Sequence, residues 1–266
     1  MLEGVQLEKC ETGSLCFIIE DISDELKKVI RARLSGICHG AAKASRTSVI
    51  YSYKKTLTAF FAKFDTKSVD TQKGMIGELL THVLFLHYEG EFRSASPFFN
   101  MEEDSIKKGF DLVLHHKGTS EIWFVEVKAG ECGVETSINK LGGLLSLAKN
   151  GLKTALNSER NTLWQNAVNG ASLVIQDSGL KSQIEALLES FNEKAVARES
   201  SSKDYNAILV AVCFSGGQAF ATGVEFEGRH TTQKGMNEFR DLMSIALQKD
   251  AIQSVVDFLR SEVDDG

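Results

Sequence analysis

No apolar run in this chain approaches the ~20 residues that span a bilayer. Its first fifteen residues, MLEGVQLEKCETGSL, have no basic region followed by an apolar stretch. Neither a membrane span nor a secretory leader is therefore expected, and a cytoplasmic protein is the expectation. Cysteines number five, Cys10, Cys16, Cys38, Cys132 and Cys213, odd in count and scattered. With no CxxC pair and no histidine at zinc-finger spacing, neither a disulfide framework nor a structural zinc is expected. Internal repeats, heptad runs and low-complexity tracts are absent too. There is one proline, Pro97. No Ser/His/Asp set, Walker loop or GxGxxG occurs, which removes the commonest hydrolase and nucleotide-binding signatures.

What is present is ordinary globular material: 42% hydrophobic and 25% charged over 266 residues, enough for one large domain. The net charge of −6 argues, taken alone, against a freestanding nucleic-acid binder. Its distribution changes that. Between Lys27 and Lys63 stand nine lysines and arginines and no carboxylate, so the remainder is strongly acidic. One basic surface on an acidic body is the expectation, and charge alone leaves it level with a plain solvated helix face.

Taken in order, residues 14–20 read as a strand, and Asp21 to Asp24 offers N-caps for a helix through ELKKVIRARL that breaks near Gly36 and Gly40. Residues 39–48 read as a loop or frayed helix end. A helix over Tyr53 to Phe64 places Leu57, Phe60, Phe61 and Phe64 on one face. The next runs from Asp70 or Thr71 to about His87 and is apolar around much of its circumference. Within it Glu78 follows Gly77, and Gly74 lies one turn earlier; each glycine weakens a helix by ~1 kcal/mol relative to Ala. That pair points to a close approach by another backbone or a ligand. A strand over Arg93 to Asn100, the acidic MEEDS turn, two further strands and a helix from Ser137 to about Asn157 follow. Residues 161–200 read as a helical insertion, AILVAVCF (207–214) as a strand covered on both faces, AFATGVEFE as an edge strand, and 233–263 as C-terminal helices. The whole is a single domain: an N-terminal basic strand-helix extension (1–70), a core over about 71–214, the insertion, and the closing helices. The fold class is α/β, a mixed central sheet with helices packed on it.

The stretch from Lys108 to Gly130, KGFDLVLHHKGTSEIWFVEVKAG, organises the rest. Strands are expected over Phe110 to His116 and Glu121 to Ala129. Alternation puts Glu126 and Lys128 on one face with Ile122 and Phe124, and Val125 and Val127 on the other. Ionised groups among apolar neighbours pair or bind a metal. An antiparallel pairing would bring Asp111 near Glu126. Were Glu78, Asp111 and Glu126 to converge, their hard oxygens would suit Mg²⁺ or Mn²⁺ with a phosphate oxygen completing the shell. Lys128 could then orient or help deprotonate an attacking water and stabilise the transition state. Other candidates are weaker. Lys140 and Asn139 read as solvated helix residues that could touch DNA phosphate, His115 and His116 face opposite ways, and Cys132 reads as an incidental thiol.

These residues carry a resemblance. GE in a helix, GFD, then VEVK at a strand end is similar to the PD-(D/E)xK nuclease superfamily, with Phe-Asp at Phe110-Asp111 where its name has Pro-Asp. The element order resembles that superfamily's αβββαβ, restriction-endonuclease-like core. More narrowly, GMIGELL, KGFDLVL and EIWFVEVKAG resemble the nuclease subunit of Hachiman anti-phage defence systems over about residues 70–215. The resemblance implies Glu78, Asp111 and Glu126 as metal ligands and Lys128 as the catalytic lysine. It also implies DNA as substrate and a superfamily 2 helicase partner that restrains the nuclease. The alternative is a nuclease fold kept as a non-cleaving subunit that binds DNA or regulates a helicase.

Overall fold

A computed structural model describes residues 1–98, 109–119 and 121–264. Seven strands form one mixed sheet in the order β1-β2-β7-β6-β5-β4-β3. In chain order these are β1 (Val5–Lys9), β2 (Ser14–Ile19), β3 (Phe92–Ser94), β4 (Leu112–His116), β5 (Ile122–Glu131), β6 (Asn206–Phe214) and β7 (Asp241–Lys249). The first hairpin and the β3-β4-β5 meander are antiparallel, while β5, β6, β7 and β2 run parallel to one another. The helices are α1 (Asp24–His39), α2 (Ala41–Ala44), α3 (Tyr53–Phe64), α4 (Val69–Tyr88), α5 (Ser137–Leu156), α6 (Asn161–Val174), α7 (Ser178–Val196), α8 (Gly223–Lys234) and α9 (Gln253–Asp264).

Two hydrophobic layers follow from the strand alternation. Trp123, Val125 and Val127 of β5 face a core shared with α1, α3, α4 and α9. Ile122 and Phe124 face the other core, shared with α5, α6, α7 and α8. β6 is buried at every residue, as an apolar strand covered on both faces must be. The α4-β3-β4-β5-α5-β6 succession is the expected αβββαβ order, with α6 and α7 inserted before β6.

Local chemistry accounts for most boundaries. Ser23 accepts the Leu26 N–H and caps α1. The expected break at Gly36 does not occur: α1 continues to His39 and stops at Gly40, whose φ of +80° favours glycine. A Cβ there would lie 2.9 Å from the Leu173 carbonyl oxygen, so Gly40 also lets α6 come close. The 39–48 loop contains the single turn of α2.

Three expectations need correction. AFATGVEFE is no edge strand, because Thr222 and Glu225 form a capping box that starts α8. The 233–263 stretch is not all helix: α8 ends at Lys234, β7 follows, and only α9 closes the chain. β7 is an inner strand whose Leu, Met, Ala, Gln and Lys residues favour helix when read alone. The strand expected over Arg93 to Asn100 is only β3; Pro97 lies past its end. Phe99, Asn100 and the MEEDS turn lie outside the described residues.

Candidate active site

β5 is the only strand of the meander that also belongs to the parallel half of the sheet, pairing β4 on one side and β6 on the other. Its two sides differ in length. β6 pairs it from Trp123 to Glu131, whereas pairing with β4 stops at Leu112 opposite Val125. One residue beyond that last pair, Asp111 comes opposite Glu126. The Val127 N–H, left without a β4 carbonyl, donates instead to Asp111 Oδ2 at 2.7 Å. A buried amide must find an acceptor, and here a carboxylate supplies it. Asp111 is thus fixed to the strand that carries the other two residues.

On β5, Lys128 Nζ donates to Glu126 Oε1 at 2.6 Å, with the two side chains 38% and 14% exposed. They share a face, as alternation requires. The face is that of Phe124 and α5, and Glu126 rests against Gly151 of α5. A Cβ at Gly151 would stand 2.9 Å from Glu126 Oε1, so only glycine leaves that carboxylate its place. Gly151 is one of three glycines in this helix, with Gly142 and Gly143, and was not among the residues expected from the sequence. No pattern in a single sequence says which helical glycine faces a strand carboxylate.

Glu78 comes from α4, in the other layer, and is half-buried rather than turned to solvent. Its neighbour Gly77 brings α4 down on the sheet: a Cβ there would lie 3.0 Å from Ala129 Cβ and 3.3 Å from Val212. Gly77 therefore marks a close approach, as expected. Gly74 does not, since nothing lies within 4 Å of a Cβ built there.

Electrostatics tie the four residues together. Burial works against the Lys128 charge, but Glu126, then Asp111 and Glu78, act on it together and hold its ammonium above the ordinary lysine value. The neighbouring carboxylates win over desolvation. Among the described residues, no three His, Cys, Asp or Glu side chains are arranged as a ready metal cage. Lys128 supplies the positive charge that Glu126 meets. The donor set nonetheless fits a hard cation in kind: three carboxylates from a helix, a strand entrance and a strand act on one ammonium.

The lesser candidates are placed as follows. Lys140 pairs with Glu135 at 3.2 Å, and Asn139 Oδ1 accepts from Arg229 at 2.8 Å. His115 is buried, while the His116 ring meets Phe92 at 5.1 Å. The Cys132 thiol is buried 3.2 Å from that of Cys213. Of the basic 27–63 stretch, Lys27 pairs with Asp24, and Arg31 is held bidentate by Glu262 of α9. No helix among the described residues is long and apolar enough to cross a membrane.

A family model named HamA matches residues 4–258. No curated protein matches the chain.

Proposed function

The chain belongs to the HamA family and so has an anti-phage defence role as a defence-system subunit; on that premise we propose that it hydrolyses DNA phosphodiesters with a divalent metal ion, in partnership with a superfamily 2 helicase. The observation that carries the reading is the linked set on and beside β5, in which Lys128 holds Glu126 and Asp111 holds the Val127 amide. Asp111, Glu126 and Glu78 would hold Mg²⁺ or Mn²⁺, and such an ion supplies Lewis-acid polarisation of the scissile phosphate.

The chain's own residues do the remaining work. The Lys128 ammonium has three donors, so it can keep Glu126 and still donate to a phosphate oxygen or an attacking water. Its charge offsets the negative charge that builds on phosphorus in the transition state. Asp111 is held by a backbone amide and Glu126 is seated on Gly151, so both carboxylates are positioned before substrate arrives.

The test is nicking of circular DNA with added Mg²⁺ or Mn²⁺, with and without the helicase encoded beside it. Glu126→Ala and Lys128→Ala should each lower cleavage by at least about 100-fold while leaving helicase binding intact. Cleavage that survives both substitutions refutes the assignment. A second reading, the fold kept as a non-cleaving subunit that binds DNA or regulates the helicase, draws on the Lys128–Glu126 pair and the unformed metal cage. It predicts a wild-type protein that binds the helicase or DNA and cuts nothing with either metal.

A further inference from the structure

At the outer edge of the sheet, away from the carboxylates, lies a cleft of about 510 Å³. Its walls are the second half of α1, strands β3 and β4, and the junction between α6 and α7. Asp111 and His115 stand at opposite ends of β4, about 13 Å apart along the strand, so this cleft is separate from the site above. It is of a size that takes a small ligand.

Its chemistry is lopsided. Arg33, Arg93 and Lys117 line it, and none forms an ion pair with a carboxylate among the described residues. Arg93 spends its Nη1 on the backbone carbonyls of Gly90 and Phe92. The one acid in the lining, Asp177, is occupied as the N-cap of α7, accepting from Leu180 N at 2.7 Å. Arg33 is held below the ordinary arginine value by burial and by the nearby Arg93 charge. Two guanidiniums facing one space without a counter-charge are relieved by an anion. His115, 5% exposed, lines the cleft as well.

The rest of the lining includes the apolar Ile37, Leu86, Ile175 and Leu180. Gly36 faces the same space, with nothing within 4 Å of a Cβ built on it. Cationic and apolar side chains lining one cleft suit a ligand with an anionic end and an apolar body.

We propose that this cleft binds a phosphorylated nucleoside, free or at the end of a nucleic-acid strand, with its phosphate on Arg33, Arg93 and Lys117 and its base against the apolar side chains. The proposal does not rest on the nuclease assignment. Its test is calorimetric titration of the full chain, without divalent metal, with adenosine and guanosine 5′-phosphates, a 5′-phosphorylated oligonucleotide and inorganic pyrophosphate. At least one nucleoside phosphate or the oligonucleotide should bind, and Arg33→Ala/Arg93→Ala should weaken that binding by about tenfold or more. Arg93 and Lys117 are exposed, so Arg93→Ala/Lys117→Ala gives a second variant whose folding is not at stake. Preference for the oligonucleotide identifies the strand end as the source, and preference for the mononucleotide identifies the free ligand. Absence of binding, binding untouched by both double variants, or pyrophosphate binding as tightly as the nucleotide overturns the proposal.

Discussion

Glu126 depends on an absent side chain. The carboxylate occupies space that any residue but glycine at 151 would fill, and the clash would fall on the mobile end of Glu126 rather than on backbone. Gly151→Ala should therefore leave the melting temperature within a few degrees of wild type, because alanine favours helix. Metal-dependent DNA cleavage should nevertheless drop by about tenfold or more through misplacement of one carboxylate. Unchanged cleavage in that variant would show that Glu126 has no fixed position to lose. Sequence made three of the four candidate site residues easy to single out. Asp111, Glu126 and Lys128 lie on strands whose alternation and pairing can be reasoned forward. Glu78 needed the glycine beside it as a clue. What holds these residues was not legible, since the Val127 amide and Gly151 acquire their roles only through register and packing.

Among the elements, the amphipathic and the heavily apolar helices were the readable ones. Phe60, Phe61 and Phe64 declare α3, and the apolar circumference of α4 declares a buried helix. β7 was lost because its DLMSIALQK, unlike the β-branched run of β6, is rich in the helix formers Leu, Met, Ala, Gln and Lys. The basic stretch, which the sequence offered as one surface, partly meets the C-terminal helix α9. Arg31 pairs with Glu262, and both Lys27 and Arg31 lie over the Phe258 ring at 5.9 and 5.3 Å. Lys54 and Lys55, in the first turn of α3, have no such carboxylate among the described residues. Lys54→Glu/Lys55→Glu should weaken DNA binding and reduce the slope of log K against log salt by about two. An unaltered slope, measured by titration over a range of salt, assigns those lysines to another task.

Across the whole molecule, acid should loosen the fold through its buried imidazoles. His230 is fully buried; it donates through Nε2 to the Thr12 carbonyl at 3.0 Å and accepts at Nδ1 from the Ser244 hydroxyl at 2.9 Å. That neutral ring joins α8 to β7 and to the turn after β1. Burial, against the pull of the Thr12 carbonyl, holds its pKa below the ordinary histidine value, and burial lowers that of His115 as well. The unfolded chain then binds protons that the folded chain refuses once pH drops below about 6.5. Stability should be level above that point and fall as pH is lowered from 7 to 5, in thermal melts at constant ionic strength. His230→Gln should make the decline shallower, even if its melting temperature at pH 7 is lower. A melting temperature that stays constant across this window would count against the account.

The uneven pairing of β5 has a consequence of another kind. Its far half is laddered to β6 and, among the described residues, has no β4 pairing, only the Val127 amide on Asp111. Glu126 and Lys128 are thus held by backbone ladder bonds that do not depend on their side chains. Chemistry and foldedness are for that reason separable properties. Selection could retune, silence or restore the proposed reaction by exchanging a few side chains, while the backbone ladders of the parallel strands continue to specify the same shape.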